Sequence, residues 1–243
     1  MLGIKSNLYE VLKFMVKGIF ITATGTDVGK TFVSALLVKK MKDYGFNCGY
    51  YKPVLSGAEE INGTLTPGDC AYVKKIANLE GNAQDFVSYM FKPALSPHLA
   101  SQIENNPIDL EFVKKDFSVR KNKYEYIVTE GAGGIVCPMN LSGDKPFLIE
   151  DIIKGLHLDV IIVAPAELGS INSAVLTAEY AKNHGIKVNG IILNNFDKTD
   201  KMQTDNKIQI EKLTHIPVIA TVEKNSSDIE IDKNTLVGIF REI

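Results

Sequence analysis

Residues Gly18–Thr31 read GIFITATGTDVGKT: a short apolar run, Gly18–Ala23, breaks into a loop rich in glycine and threonine and ends on Gly29-Lys30-Thr31. Lys30–Tyr44 follows, with Val33, Leu36, Leu37, Lys40 and Met41 at helical spacing and Gly45 just past its end as a candidate cap. A strand, a glycine-bearing turn and a helix in that order form a phosphate-binding loop. Backbone N–H groups at the helix N-terminus face the phosphates, the lysine neutralises β/γ oxygens, and the following hydroxyl holds Mg2+. The strict G-x-x-x-x-G-K-[ST] spacing fails by one residue, because Thr24 occupies the first glycine position. The junction still predicts nucleotide binding, since a chance Gly-Lys-Thr rarely falls between a strand and a helix.

The alternation continues outward from this stretch. Gly49–Val54, Tyr124–Thr129, Leu158–Ala164, Val188–Leu193 and Ile216–Ala220 read as strands. Asp69–Ala77, Asp109–Phe117, Phe147–Gly155, Ile171–His184 and Asn206–Leu213 read as the helices between them. Strands apolar on both faces and separated by helices predict an α/β fold: a single P-loop NTPase-like domain with a mostly parallel, doubly wound sheet flanked by helices. We assign that domain to residues 17–243. Residues 1–16 form an N-terminal extension, where Leu8, Val11, Leu12 and Phe14 suit a short amphipathic helix, unless Met15 is the natural start. Residues 78–106 are the least regular part of the chain.

Composition narrows the function classes. With 243 residues, 45% hydrophobic and 23% charged, the chain has the balance of a globular protein. Lysine plus arginine (27) against aspartate plus glutamate (29) gives a net charge of −2, which supplies no general drive toward nucleic acid or an anionic membrane. Apolar stretches such as Val160–Ala166 fall far short of the ~20 residues of a membrane helix. Lys5, Glu10, Lys13 and Lys17 interrupt any signal-peptide core. Cys48, Cys70 and Cys137 are far apart and odd in number, which fits a reducing cytoplasm. His98, His157, His184 and His215 show no metal-ligand spacing.

Several polar residues sit where chemistry is done. Glu130 ends an apolar strand and leads into Gly131-Ala132-Gly133-Gly134, a placement that suits Mg2+ coordination. Asp69, after Pro67-Gly68, is either a second metal ligand or a helix N-cap. Lys52 ends the second strand and is either a second cation on the crevice side or a solvated lysine; Ser56-Gly57 continues that turn. Gly169-Ser170-Ile171-Asn172 opens a helix whose free amides could take a carboxylate, or Ser170 is simply its cap. Asn194-Asn195 offers amides for a nucleobase edge, though asparagine is also common in turns. Arg120 and Arg241 are the only arginines, and neither belongs to a cluster, which disfavours a kinase with an arginine-bearing lid.

Taken in order, ATGTDVGKT (Ala23–Thr31), YYKPVLSG (Tyr50–Gly57), PGDC (Pro67–Cys70), LSPHLAS (Leu95–Ser101), EGAGG (Glu130–Gly134) and ELGSIN (Glu167–Asn172) resemble the dethiobiotin synthetases, from Gly18 to about Ile219. The non-strict loop spacing is itself a trait of that family. The resemblance implies ATP- and Mg2+-dependent carboxylation and ring closure of 7,8-diaminononanoate with CO2. It also implies a cytoplasmic homodimer whose substrate site lies at the subunit interface. By matched position Lys30, Lys52 and Thr26 would be catalytic. The nucleotide would meet Asp27, Val28, Gly29, Lys30, Thr31, Phe32, Asp69, Glu130, Gly131, Ala132, Gly133, Asn194 and Asn195. Thr31, Asp69 and Glu130 would hold Mg2+, while Ser56, Ser170, Ile171 and Asn172 would hold the substrate. Two departures stand out. Asn206 falls where some members have a tyrosine, and Ala220–Asn225 (ATVEKN) lacks the usual proline-containing adenine loop.

Two other classes share the nucleotide domain. Partitioning-type ATPase switches carry a signature lysine at the position of Gly25 and commonly a basic element that seeks DNA or membrane. Amidoligases of the cobyrinic-acid type add a glutaminase domain with a nucleophilic cysteine, for which nothing of sufficient length follows Asn195.

Overall fold

The computed structural model describes residues 15–142 and 146–243, so the expected N-terminal helix falls outside the described residues except for Met15 and Val16, which are not helical. In chain order the first half contains β1 (Lys17–Ala23), α1 (Lys30–Asp43), β2 (Cys48–Ser56), β3 (Glu59–Ile61), β4 (Thr64–Thr66), α2 (Gly68–Ile76), β5 (Val87–Phe91), α3 (Pro97–Ile103) and α4 (Leu110–Lys121). The second half contains β6 (Tyr126–Glu130), β7 (Pro138–Asn140), β8 (Phe147–Leu148), α5 (Ile149–Gly155), β9 (Val160–Pro165), α6 (Ser170–Asn183), β10 (Val188–Asn194), α7 (Lys201–Thr214), β11 (Val218–Val222), α8 (Lys233–Gly238) and β12 (Arg241–Glu242).

Seven of these strands form one parallel sheet in the order β11-β10-β9-β1-β6-β2-β5, and β12 joins β1 antiparallel. Side chains alternate across it, as strand geometry requires. Ile19, Ile21 and Ala23 of β1 face one layer with Tyr50, Val128, Ile161 and the apolar stripe of α1. Phe20, Tyr51, Ile127 and Val160 face the other with Val113 and Phe117 of α4 and Ile152 and Ile153 of α5. Ile162, Leu193, Ala174 and Ile210 extend that second layer under α6 and α7. The expected doubly wound sheet is therefore observed.

α1 ends as its sequence predicts. Gly45 takes φ 87°, its N–H donates to Lys42 O (2.9 Å), and the Phe46 N–H donates to Met41 O (3.1 Å), the paired bonds of a Schellman cap. The order of the strands sets the site. β1 lies between β9 and β6, and the chain leaves it for β2 on one side and reaches β9 later on the other. A crevice opens at such a reversal, outside the carboxyl ends of the strands.

Candidate active site

The crevice is built on the carboxyl ends of β1, β6 and β2. Parallel register sets Ile21 beside Glu130 and Tyr51 beside Thr129, which brings Lys52, one residue further along β2, next to Glu130. The ladder from β2 to β6 stops at Tyr51, just before Pro53, whose missing N–H could not have continued it.

Glu130 is fully buried, and a carboxylate removed from water needs partners. It has three: Thr31 donates from Oγ1 to Oε1 (2.7 Å), the Tyr50 hydroxyl donates to Oε2 (2.8 Å), and Lys52 Nζ donates to Oε1 (2.6 Å). Lys52 Nζ also contacts Asp69 Oδ2 at 2.6 Å and the Gly131 carbonyl at 3.2 Å. Asp69 lies in the first turn of α2, whose cap position is Pro67 and has no side-chain cap bond, so the N-cap alternative does not hold.

The charges reinforce one another. Burial by itself pulls the Lys52 ammonium down, but the adjacent Glu130 and Asp69 carboxylates outweigh it and hold the group above the ordinary lysine range. Burial likewise pushes Asp69 up, and the adjacent Lys52 charge brings it below the ordinary aspartate range. Lys30 goes the other way: burial and the nearby Lys52 charge hold it low. Its Nζ donates to Gly25 O at 3.0 Å.

The loop from Thr24 to Gly29 wraps this group. Asp27 and Gly29 have positive φ (58° and 98°). Gly29 is required there, since a Cβ would lie 2.0 Å from Asn194 Nδ2. Asn194 is buried and donates from Nδ2 to Val28 O (3.0 Å), while its Oδ1 has no hydrogen-bond partner among the described residues. Thr26 and Asp27 are exposed at the mouth, whereas Val28 and Phe32 turn their side chains toward the core and leave only backbone to a ligand. Thr26, Asp27, Lys30, Lys52, Ser56, Asp69, Glu130, Ala132 and Gly133 line one cleft of about 180 Å³. Gly131 lies just beneath it, against the Phe20 ring.

Other expected residues stand apart from that cleft. Ser170 is buried at the N-terminus of α6, while Asn172 is exposed. Asn195 is an exposed turn residue at φ 56°. Asn206 is buried, and its Nδ2 donates to Ala166 O and Glu167 O (both 3.2 Å), so it braces the turn that leads into α6.

Sequence reasoning overlooked Tyr50 and Cys137. Tyr50 lies two residues before Lys52 on the same strand, and a period of two places both on one face, a usable signal. Cys137 has no such signal. It is buried beneath Gly133, and burial pushes its thiol up to about 11 against the opposing pull of Lys30 and Lys52.

Thr31, Asp69 and Glu130 offer a hydroxyl and two carboxylates, the hard oxygen donors that Mg2+ selects, and they already converge on a cationic group. The donor set fits the ion. Buried donors and an ammonium beside a helix-opening loop equip the cleft to hold polyphosphate and to screen charge during phosphoryl transfer.

A family model described as an AAA domain matches residues 17–229. The ATP-dependent dethiobiotin synthetase BioD of Clostridium botulinum (strain 657 / Type Ba4) is 49% identical over 229 residues, 94% of this chain and 100% of the relative. The protein of the same description from C. botulinum (strain Eklund 17B / Type B) is 49% identical over 226 residues, 93% and 99% of the two chains. Among solved structures, the MinC:MinD cell division protein complex of Aquifex aeolicus aligns with TM-score 0.55 at 16% identity, covering 86% of this chain and 82% of the other. A ParA family ATPase from Chlorobium tepidum TLS aligns with TM-score 0.51 at 17% identity, covering 92% and 89%. At such identities these two structures speak to the fold alone.

Proposed function

The chain belongs to the ATP-dependent dethiobiotin synthetases, and from that membership we propose how its cleft makes dethiobiotin. The enzyme is a ligase that forms carbon–nitrogen bonds at the expense of ATP. One amine of 7,8-diaminononanoate takes up CO2 and loses a proton, giving a carbamate. A carbamate oxygen attacks the γ-phosphorus of ATP, ADP leaves, and a carbamic–phosphoric anhydride results. The second amine attacks that carbonyl and expels phosphate, closing a five-membered cyclic urea. No protein nucleophile is needed. Catalysis is positioning and charge screening, and ring closure gains from the high effective molarity of an amine held beside its target.

The single observation carrying this reading is the convergence of Thr31, Lys52, Asp69 and Glu130 beside the Lys30 loop. In it Lys30 and Thr26 hold phosphate oxygens, with backbone from Asp27, Val28, Gly29 and Phe32. Lys52 faces the transferring phosphate and carbamate. Thr31, Asp69 and Glu130 hold Mg2+, which when bound neutralises phosphate oxygens. Gly131, Ala132 and Gly133 give the nucleotide close backbone contact. Asn194, with its unpartnered Oδ1, and Asn195 take the adenine edge. Ser56 meets the diamine.

Ser170, Ile171 and Asn172 serve the cleft of a second copy in a homodimer, a role suited to a turn that lies outside its own chain's cleft and to Leu168, which is 84% exposed beside it. Three free, buried cysteines suit a cytoplasmic enzyme. Among the described residues no helix is long and apolar enough to cross a membrane. Incubation with diaminononanoate, bicarbonate and MgATP should yield dethiobiotin by mass spectrometry. ATP hydrolysis stimulated by DNA or lipid, with no cyclic urea, would overturn the reading.

A further inference from the structure

An ammonium group has three N–H donors, and Lys52 Nζ has three close acceptors, two through hydrogen bonds and one as an ion pair. Glu130 Oε1 (2.6 Å) and Gly131 O (3.2 Å) accept hydrogen bonds, and Asp69 Oδ2 pairs with it at 2.6 Å. The Lys52 side chain is 4% exposed and that of Glu130 0%. In this arrangement Lys52 is turned to its two carboxylates rather than to a phosphate or a carbamate. Giving up the 3.2 Å bond to Gly131 O would free one donor only; turning the ammonium fully toward a substrate means leaving a carboxylate, and Glu130 would then be buried and short of a counter-charge.

The same two carboxylates, with the Thr31 hydroxyl on Glu130, are the oxygen set that a divalent ion would use. Ammonium and metal compete for them: Glu130 Oε1 already accepts from Lys52 and Thr31, and Oε2 from Tyr50. A Mg2+ ion takes its oxygens at about 2.0–2.1 Å, so it would lie against a cation held 2.6 Å from the same atoms. Like charges at that separation repel strongly in a buried site.

We infer that Lys52 is a stand-in for the divalent ion in the nucleotide-free enzyme, and that entry of Mg2+ with the nucleotide displaces it into the cleft beside Ser56 and Gly133, where its donors become free for the reacting groups. The inference rests on the Mg2+-dependent reading of the site given above. It assigns Lys52 two successive partners, acids first and substrate second. The metal takes over the carboxylates as the ammonium leaves them, and the phosphates that enter with it meet the released ammonium. The exchange also explains why a nucleotide-free protein tolerates two carboxylates around one point, one of them wholly buried.

The test is Mn2+ binding to nucleotide-free protein, read by electron paramagnetic resonance, in wild type, Lys52→Gln and Lys52→Arg. Removing the ammonium should open the site: Lys52→Gln should bind Mn2+ at least tenfold more tightly than wild type. Lys52→Arg keeps the positive charge and should bind as weakly as wild type. In EDTA Lys52→Gln should melt below wild type, and Mn2+ should recover the loss. Equal Mn2+ affinity in wild type and Lys52→Gln would overturn the inference.

If Lys52→Gln does not fold, wild type alone still decides, through the 1H–15N signals of its lysine ammonium groups, with Lys52→Arg identifying the Lys52 resonance by its absence. Protection from exchange should persist with ADP in EDTA and vanish with MgADP; persistence in MgADP would overturn the inference. Neither measurement uses diaminononanoate or turnover. Cyclic urea formed by an enzyme that fails both would therefore retain the reaction and remove the swap, and the converse result would do the reverse.

Discussion

Lys30 and Lys52 are two buried ammonium groups with opposite circumstances. Lys52 is surrounded by acceptors, whereas Gly25 O is the one hydrogen-bond acceptor of Lys30 among the described residues. Burial therefore holds Lys30 below the ordinary lysine range, so keeping it charged costs the folded state stability. Lys30→Met should raise the unfolding free energy of the nucleotide-free protein by ~1–3 kcal/mol, the scale for a buried polar group short of partners. It should also lower turnover by ~10²-fold or more, the usual loss for one transition-state contact.

The pH dependence follows from the sign of the shift. Folded Lys30 gives up its proton at a lower pH than the unfolded chain does, so the unfolded state binds more protons in that interval and wild-type stability rises with pH. The gap between Lys30→Met and wild type should accordingly narrow as pH climbs toward the usual lysine range. Urea melts at a series of pH values would check it, and a gap that widened would refute the argument.

At the scale of elements, the loop between β1 and α1 is fixed from behind as well as from within. Asn194 at the end of β10 presses its amide onto Val28 O and fills the space beside Gly29. Gly29→Ala would put a methyl group 2.0 Å from that amide at a φ of 98°. A loss of at least ~2 kcal/mol is expected, given 1–3 kcal/mol for backbone strain alone, together with loss of ATP binding in a calorimetric titration. Asn206 braces a different turn, through Ala166 O and Glu167 O. Asn206→Ala should therefore raise KM for the diamine more than KM for ATP in initial-rate assays.

How far elements were legible depended on their hydrophobic pattern. β1, β9 and β10 are central, apolar on both faces and unmistakable in sequence. β5 is the edge strand, only five residues of mixed burial, and it lay unseen within the irregular residues 78–106 together with α3. The β3–β4 hairpin is short and mostly exposed, with Leu65 alone packed against the core, so it has no apolar alternation to read. In the site, Lys30, Thr31 and Glu130 followed from strand ends and a loop motif. That Lys52 meets Asp69 did not, because α2 is positioned by packing against α1 rather than by any local pattern.

Over the whole molecule, β12 completes β1 from far along the chain. β1 pairs β6 from Lys17 but β9 only from Phe20, and β12 takes the edge left open at Lys17 and Gly18. Asp159, buried at the start of β9, secures this end: Arg241 Nη1 reaches Oδ1 (3.2 Å), while Lys187 Nζ (3.2 Å) and Asn189 Nδ2 (3.1 Å) reach Oδ2. Lys187 and Arg241 are largely exposed and can return to water cheaply, so the main loss on truncation falls on Asn189 and on packing. Asp159→Ala should cost about 1–2 kcal/mol in a thermal melt and leave KM for ATP unchanged; a loss of nucleotide affinity would mean that the far end of the sheet is coupled to the loop.

That closure has a bearing on how the protein is made. β1 acquires its β6, β9 and β12 neighbours only from segments far along the chain, so its hydrogen-bonding edges wait on contacts of long sequence separation. A nascent chain stalled before Arg241 would hold an unfinished central strand.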